Sequence, residues 1–387
     1  MTEQIYFKCD VNKQSILSNF EARGLERATG DEWSIYWATV SSTKSIFHPE
    51  NRFRFSDRQI INHFSNNYAL CRKDLMVRHI KRYRKELERE NNPLGMRDAF
   101  GKYTLLDLIP PTYILPNEMA LFEEHFRREP STLWIMKPPA RAQGAGVFIV
   151  SKMSQLQKWS QKWSSATTVS TRDSYLISKY IDNPLLISER KFDLRLYVLV
   201  TSYRPLRAFL YKQGFCRFCV EKYSNNVSEL GNSVRHLSNI AIQKHADNYN
   251  EVNGSKWSVE DLRLHLEAIY GYRATTNCFD RIEFIIIHSL KSVQNVISND
   301  KHCFECYGFD VMIDDQLKPW LIEVNASPSL SSTTQADRVL KNSLLNDVFN
   351  IVMPNNDPTA HTRGNIPISD LELGEFVPIL DEKPTRR

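Results

Sequence analysis

The chain has 387 residues, 42% of them hydrophobic and 25% charged, and its formal net charge at pH 7 is +5. This composition excludes a mainly disordered chain, and the length predicts two or three lobes rather than a single core. The small positive excess suits an acidic protein partner as well as nucleic acid, but no nucleic-acid motif accompanies it.

The first residues, MTEQIYFKCDVNKQ, lack the apolar segment of a secretory signal. No apolar run approaches the roughly 18 residues that a membrane-spanning helix needs. We therefore expect a cytoplasmic protein that does not contact a membrane. Residues 1–75 mix aromatic clusters with polar turns, which predicts a small N-terminal α/β lobe.

A helix is predicted over residues 71–90, where apolar residues recur at helical spacing in CRKDLMVRHIKRYRKELERE. Its basic residues form either an ordinary solvated helix face or a landing surface for an acidic partner. We expect a central lobe over 76–200 and a C-terminal lobe over 201–353. After Met353 the hydrophobic pattern fades, which predicts an irregular or disordered tail over 354–387.

The central and C-terminal lobes show both strand and helix patterns, so the sequence predicts a mixed α/β protein. Residues 131–150 indicate a strand, a glycine-containing loop and a second strand. Further patterns predict β-rich segments at 174–181, 190–200 and 207–218, and helices at 258–271 and 279–297.

Residues 304–330, FECYGFDVMIDDQLKPWLIEVNASPSL, predict two strands joined by a polar turn. With a four-residue loop, Asp310 lies opposite Leu321 and diagonal to Glu323, on the face that also carries Asn325. Two carboxylates on an apolar sheet favour a cation between them, and this small set of hard oxygen ligands suits Mg²⁺ with substrate phosphates. The alternative is that Glu323 caps an edge while Asp310 pairs with a lysine. A loop of odd length would turn Asp310 to the other face and favour that alternative.

A phosphate site is suggested by residues 134–148, where Lys137 ends an apolar strand and Gly144 and Gly146 lie in the following turn. A lysine can neutralise phosphate oxygens, and glycines let backbone N–H groups approach them. Alone this signal is weak, because an exposed lysine at a strand end is common.

A second polar strand lies at RKFDLRLYVLV, where Lys191, Asp193 and Arg195 alternate onto one face. They form either a surface charge ladder or the wall of a nucleotide cleft, in which Arg195 stabilises a transferring phosphoryl group. Further along, Ser238 and Asn239 either bind a ligand or cap a turn.

The chain has seven cysteines, including the C-x-x-C pairs Cys216/Cys219 and Cys303/Cys306. The two pairs are too far apart for a compact zinc site, and residues three apart in a strand point to opposite faces. We expect buried, reduced thiols rather than zinc ligands.

Several of these segments together resemble the tubulin tyrosine ligase-like family, and they occur in the same order: WIMKP…QGAGV, RKFDLRLYVLV, HLSNIAIQKH, KHCFECYGFDVMID and KPWLIEVNASPSL. The resemblance covers about residues 10–350. It implies an ATP-grasp fold of the α/β (α+β) class, with a small N-terminal lobe and the nucleotide bound between the central and C-terminal lobes.

The resemblance also implies roles for individual residues. Lys191 and Arg195 are the expected catalytic cations, and Asp310, Glu323 and Asn325 the expected Mg²⁺ ligands. A free dicarboxylic amino acid is expected at Arg217 and Lys256, with Lys341 a weaker candidate. The expected ATP contacts are Lys137, Gln143, Gly144, Lys179, Tyr180, Ile181, Asp182, Lys191, Asp193, Ser238 and Asn239.

The implied activity is ATP- and Mg²⁺-dependent attachment of glutamate to side-chain carboxylates in tubulin C-terminal tails, through an acyl-phosphate. Within the family, the similarity is greatest to polyglutamylases that work in a complex. The implied partners are tubulin or microtubules, free glutamate and accessory subunits, and the implied location is the cytoskeleton, including the cilium axoneme and basal body. The alternatives are a glycine or tyrosine ligase, a non-catalytic tubulin-binding subunit, and nucleic-acid binding through the helix at 71–90.

Overall fold

A computed structural model describes residues 4–139, 141, 144–165, 174–244, 256–332, 334–363 and 366–383. Within these ranges the protein is a mixed α/β structure, as the sequence predicts. Its strands form three β-sheets. No helix there is both long and apolar enough to cross a bilayer.

The first sheet is parallel and lies in the N-terminal part of the chain, with strand order β2-β1-β3-β4. Its short strands alternate with helices, which is the pattern predicted for residues 1–75. The long helix predicted over 71–90 is present as α4. The elements are β1 (Tyr6–Cys9), α1 (Gln14–Ala22), β2 (Glu26–Arg27), β3 (Ile35–Trp37), α2 (Val40–Ile46), β4 (Ile60–Ile61), α3 (Tyr68–Cys71) and α4 (Lys73–Arg89).

The second sheet is antiparallel, with strand order β5-β8-β6-β7, and a separate small core of aromatic and aliphatic residues packs on it. Its central pair includes the predicted strand that ends at Lys137. The elements are β5 (Thr112–Leu115), α5 (Met119–Arg128), β6 (Trp134–Lys137), β7 (Phe148–Val150), α6 (Met153–Ser165) and β8 (Tyr175–Lys179).

The third sheet has eight strands and is centred on the 14-residue strand β10. Strand β10 pairs with β9, β11, β12 and β14. The elements are β9 (Leu186–Ile187), β10 (Arg190–Tyr203), β11 (Leu206–Tyr211), β12 (Phe215–Phe218), α7 (Ser233–His236), α8 (Ile240–Gln243), β13 (Lys256–Ser258), α9 (Val259–Tyr270), α10 (Tyr272–Val293), β14 (Glu305–Ile313), β15 (Pro319–Asn325), α11 (Gln335–Val352), α12 (Pro358–Arg363) and β16 (Phe376–Asp381).

The two faces of β10 differ, because side chains alternate along a strand. One face is apolar throughout: Leu194, Leu196 and Val198 pack in the large core that includes residues of α4 and α10. The other face is charged in its first half and then becomes apolar at Tyr197 and Leu199, which join the core shared by the N-terminal sheet and α11. The backbone of the charged half is therefore fixed by the packing of apolar β10 side chains into two cores.

The C-terminal segment differs from the irregular tail predicted for 354–387. It contains α12 and β16, and β16 pairs antiparallel with β11 at the edge of the large sheet. Phe376 is buried against Tyr211, with ring centroids 4.8 Å apart. The strand has only six residues and contains a proline, so its sequence pattern is too short and interrupted to predict it. The division into lobes at residues 75, 200 and 353 stays a prediction.

Candidate active site

An open cleft of about 810 Å³ lies between the second sheet and the large sheet. This volume includes solvent space at the open mouth of the cleft. From one side it is lined by β6 and β8, and from the other by β10, β14 and β15. The polar residues that line it include Lys73, Lys137, Arg141, Lys179, Lys191, Asp193, His236, Ser238, Asn239, Asp310 and Glu323.

The carboxylates come together through a β-bulge that the sequence did not predict. The loop between β14 and β15 has five residues, so Ile313 pairs with Pro319. In an unbroken ladder this odd length would place Asp310 opposite Ile322 and turn Glu323 to the other face. The register instead shifts between Asp310 and Val311, and Asp310 pairs directly with Glu323. The predicted four-residue loop and diagonal arrangement were wrong, but the predicted shared face is present.

Asp310 is buried and bound by two arginines rather than by the lysine of the alternative interpretation. Arg195 donates from Nε and from an Nη atom to the two carboxylate oxygens, at 2.5 and 3.0 Å, and Arg217 approaches to 2.8 Å. Burial alone raises the pKa of Asp310, but the Arg195 and Arg217 guanidiniums outweigh it and hold the pKa well below its ordinary value. Asp310 is therefore ionised throughout the neutral range.

The polar face of β10 is a buried cross-strand charge ladder, and not a surface ladder. Asp193 lies opposite Arg217 on β12, whose Nε donates to its carboxylate at 2.8 Å. Arg195 lies opposite Asp310 on β14. Lys191, Asp193 and Arg195 are each less than a tenth exposed, so every charge in this layer depends on its partners.

Glu323 forms an ion pair with Lys73, with 2.7 Å between Lys73 Nζ and the carboxylate. Asn325 follows two residues later, and its amide nitrogen is 3.4 Å from Glu323 Oε1. A cation thus already lies beside the Asp310–Glu323 pair. The side chains of Asp310, Glu323 and Asn325 carry carboxylate and amide oxygens. This donor chemistry fits Mg²⁺. Within the described ranges no group of three or more His, Cys, Asp or Glu side chains surrounds a common point, so substrate and water oxygens would complete the coordination.

Two lysines enter the cleft from opposite sheets, Lys137 from β6 and Lys191 from β10. Burial lowers the pKa of each to about 8, from an ordinary value of 10.5. The Lys73 charge adds to the shift for Lys137, and Lys137 itself adds to that for Lys191. Mutual repulsion of this kind is relieved when a polyanion binds between the lysines.

Four of the expected ATP contacts, residues 179–182, form a hinge segment at the end of β8, and Lys179, Tyr180 and Ile181 of this segment line the cleft. Asp182 is half-buried next to them, and its backbone carbonyl accepts a hydrogen bond from Tyr223 at 2.8 Å.

On the opposite wall, Ser238 and Asn239 line the cleft close to Gly144. Gly144 has φ +75°, and a Cβ atom there would approach Ile242 to 2.4 Å, so the position requires glycine. Gln143 lies outside the described residues.

The three cations expected to bind a free amino acid are neighbours. Arg217 pairs across the strands with Lys256 on β13. Lys256 and Lys341 both bind the buried carboxylate of Asp337, at 3.0 and 3.1 Å. Lys341 is almost fully buried and also donates to the Ser331 carbonyl. The structure therefore gives these cations protein partners, and their contact with an amino acid stays a prediction.

The cysteines of both C-x-x-C pairs are buried free thiols. Burial raises the pKa of Cys219 and of Cys306 to about 12, which keeps both protonated.

Residues 52–361 match the model of the "Tubulin-tyrosine ligase family". The chain belongs to this family.

Curated members of the family align over most of the chain. It is 48% identical to a "Probable alpha-tubulin polyglutamylase Ttll1" of Tetrahymena thermophila, over 100% of this chain and 95% of that protein. It is 38% identical to a "Probable tubulin polyglutamylase ttll-9" of Caenorhabditis elegans, over 90% of this chain and 80% of that one. A human "Tubulin polyglutamylase TTLL5" is 34% identical over 77% of this chain, which is only 22% of its own length.

Sequence reasoning missed Lys73, His236, Met312 and Ile322, all of which line the cleft. Lys73 was counted among the basic residues of a helix face, and nothing in its local pattern reveals a partner 250 residues later in the chain. Met312 and Ile322 were treated as ordinary strand residues. Only His236 carried a usable signal, since it opens the HLSN segment that was already singled out.

Proposed function

We propose that this protein is an ATP- and Mg²⁺-dependent ligase that attaches glutamate to side-chain carboxylates in the C-terminal tails of tubulin. The observation that carries the proposal is the arrangement of charges in the cleft. Lys137 and Lys191 line the same open cleft as a pair of carboxylates, Asp310 and Glu323. The substrate class is supported by relatives named tubulin polyglutamylases.

The nucleotide would lie between the second sheet and the large sheet, which we take as the two halves of an ATP-grasp fold. Met312 and Ile322 offer apolar surface to the base, next to the backbone of the hinge at Tyr180 and Ile181. The phosphates would extend toward Lys137 and Lys191, whose charges a polyphosphate needs. Asp193, Ser238 and Asn239 are polar partners for the ribose and phosphates.

Asp310, Glu323 and Asn325 would hold Mg²⁺ beside those phosphates. Bound there, the ion would neutralise phosphate charge and orient the γ-phosphoryl group. Lys73 shares Glu323, so its ammonium would move toward the phosphates as the site fills.

The chemistry has two steps. A side-chain carboxylate of the tail attacks the γ-phosphorus of ATP, the bond to the bridging oxygen breaks, and ADP leaves with an acyl-phosphate in place. The neutral amine of a free glutamate then attacks the acyl carbon, phosphate leaves, and the amine loses a proton as the isopeptide bond forms. Lys191 and Arg195 offset the charge that develops on the transferring phosphoryl group.

The free glutamate would bind beyond the Arg217–Asp310 layer, where Arg217, Lys256 and Lys341 supply cations for its carboxylates. Asp337 lowers the excess positive charge there, which suits an amino acid that carries an ammonium as well as two carboxylates. Glycine and tyrosine lack the second carboxylate, so glutamate uses these cations most fully.

The acidic tail would reach the cleft along α4, the helix that begins at Lys73. Four cations lie exposed on this helix, spaced three or four residues apart on one side: Arg78, Arg82, Lys85 and Arg89. Accessory subunits would extend this contact to the microtubule.

The test is a ligation assay with ATP, Mg²⁺, microtubules and labelled glutamate, glycine or tyrosine in parallel. It is run on the isolated chain and on the complex purified with its natural partners. Glutamate incorporation that requires ATP supports the proposal. Preferential incorporation of glycine or tyrosine by either preparation contradicts the proposed substrate, and no incorporation by the complete complex contradicts the activity.

A further inference from the structure

A chain of buried hydrogen bonds ends at the ammonium of Lys191. Lys191 Nζ donates to the Tyr180 hydroxyl oxygen at 2.9 Å, and that hydroxyl is 2.9 Å from His236 Nδ1. His236 Nε2 lies 3.2 Å from the backbone carbonyl of Glu229. The three side chains are each at most 4% exposed, so the chain is closed to bulk water.

The chemistry of the end groups fixes the direction of the first and last bonds of this chain, and a neutral His236 ring then fixes the middle one. An ammonium only donates, so the Tyr180 oxygen accepts from Lys191. A carbonyl only accepts, so His236 Nε2 carries the hydrogen that it donates to Glu229. Nδ1 is then bare and accepts from the Tyr180 hydroxyl. In a neutral His236 each of the three bonds thus has one donor and one acceptor.

Lys191 needs this support because its side chain is long and flexible. Fixing a lysine in one conformation costs side-chain entropy. The Tyr180 ring lies under the ammonium, 4.3 Å from Nζ to its centroid, and the Tyr223 ring lies at 5.7 Å. The hydroxyl fixes one of the three N–H directions of Lys191, whose side chain lines the cleft.

We propose that His236 and the Tyr180 hydroxyl are positioning residues that hold the Lys191 ammonium where a nucleotide phosphate binds. This inference rests on the nucleotide site of the proposed function. His236 acts through the Tyr180 oxygen, which it keeps oriented as an acceptor for Lys191. Because His236 also precedes Ser238 and Asn239, the same chain ties the β10 lysine to the segment that forms the opposite wall.

Protonation of His236 would break the arrangement. Nδ1 would then become a second donor toward the Tyr180 oxygen, and an imidazolium would face the Lys191 ammonium. The charged and titratable groups around the ring are Lys191, Arg235, Tyr180, Tyr223 and Glu229. Burial first, and then Lys191 and Arg235, lower the pKa of His236 below its ordinary 6.5, which favours the neutral ring at physiological pH.

The structure offers a matched control. Tyr83 and His288 form the same kind of pair, with 2.9 Å between the hydroxyl and Nδ1, and His288 is also buried. That pair packs between α4 and α10 and does not line the cleft. Tyr83→Phe therefore removes an equivalent hydroxyl without touching Lys191.

The experiment measures the Kd of the full chain for Mg–ATP by calorimetry, for wild type, Tyr180→Phe, His236→Leu, the double variant and Tyr83→Phe. Loss of a hydrogen bond to a charged group predicts a Kd about 10- to 100-fold higher for each single variant at the cleft. The double variant is expected to be no weaker than the worse single one, because both remove the same support. Tyr83→Phe is expected to bind like wild type.

His236→Asn supplies a second readout that does not depend on truncating the ring. Its amide oxygen can stand at the Nδ1 position and accept from Tyr180, but it does not titrate. We expect near-wild-type affinity at pH 7.5 and a flattened loss of affinity toward pH 5.5.

Additive effects of the two cleft substitutions, a Kd within twofold of wild type for Tyr180→Phe, or an unchanged loss of affinity at acid pH in His236→Asn would overturn the proposal. Since ATP binding is measured without ligation, failure to transfer glutamate tests the proposed function separately.

Discussion

Arg217 was predicted from sequence to contact a free amino acid, yet in the structure it is committed to two buried carboxylates. Its Nε donates to Asp193 at 2.8 Å, and it approaches Asp310 to 2.8 Å. Arg217→Met removes the guanidinium and leaves Asp193 as a buried charge without that partner. Breaking a buried pair from one side typically costs roughly 3–5 kcal/mol of folding free energy. We expect a loss of this size in the free energy of unfolding.

The double variant Arg217→Met/Asp193→Leu separates this effect from simple loss of packing. Replacing both members of a buried ion pair by apolar residues is often nearly neutral, so most of the lost stability is expected to return. Urea denaturation followed by circular dichroism measures both variants. Arg273→Met, at an exposed arginine on α10, is the control and should change stability by no more than about 0.5 kcal/mol.

A cost below about 1 kcal/mol for Arg217→Met would contradict charge pairing in the buried ladder, because a residue that only contacts substrate would show such a small cost. Such pairing would also be contradicted by a double variant as unstable as the single one. In either case the buried ladder would not depend on charge pairing as described.

Three further predictions concern the cleft and the C-terminal strand. Lys73→Met should raise the KM for ATP at least tenfold in steady-state kinetics. It should cost at most about 1 kcal/mol of stability in thermal melting, because the ion pair of Lys73 with Glu323 is partly exposed. An unchanged KM together with a large loss of stability would show that Lys73 is structural. The lowered pKa of Lys137 and of Lys191 means that both are charged at pH 7 and lose charge as the pH rises through about 8. The KM for ATP should therefore increase above pH 8, by up to about tenfold per pH unit for each lysine, and a flat profile to pH 9.5 would contradict this. Phe376→Ala should lower the free energy of unfolding by about 3–5 kcal/mol in urea denaturation, and a loss below 1 kcal/mol would show that β16 is not anchored to the sheet.

The sequence predicted the parts of the site that depend on local periodicity. A two-residue alternation places Lys191, Asp193 and Arg195 on one face of β10, and that face is polar as expected. The strand–loop–strand around Gly144 and the long helices also follow from local pattern.

The remainder depends on contacts between distant residues. The bulge at Ile322 is a property of two paired strands, and no single-strand pattern reveals it. The sequence leaves open whether the charge ladder lies at the surface or in a cleft, because its burial depends on the two cores that pack around β10. For the same reason, the partners of Lys73, Arg217 and Lys341 could not be read from their neighbours in the chain.

The most direct test of the central claim compares two complexes assembled with natural partner subunits, one on the wild-type chain and one on Glu323→Gln. Both receive ATP, Mg²⁺, microtubules and labelled glutamate, and Glu260→Gln, at an exposed position, serves as the control. We expect Glu323→Gln to fold and assemble normally but to lose glutamate incorporation by at least about a hundredfold, because it removes a carboxylate that would hold Mg²⁺ beside the phosphates. Incorporation at the wild-type rate by the Glu323→Gln complex would contradict the account, because the cleft between the two sheets would then not be the site of the reaction.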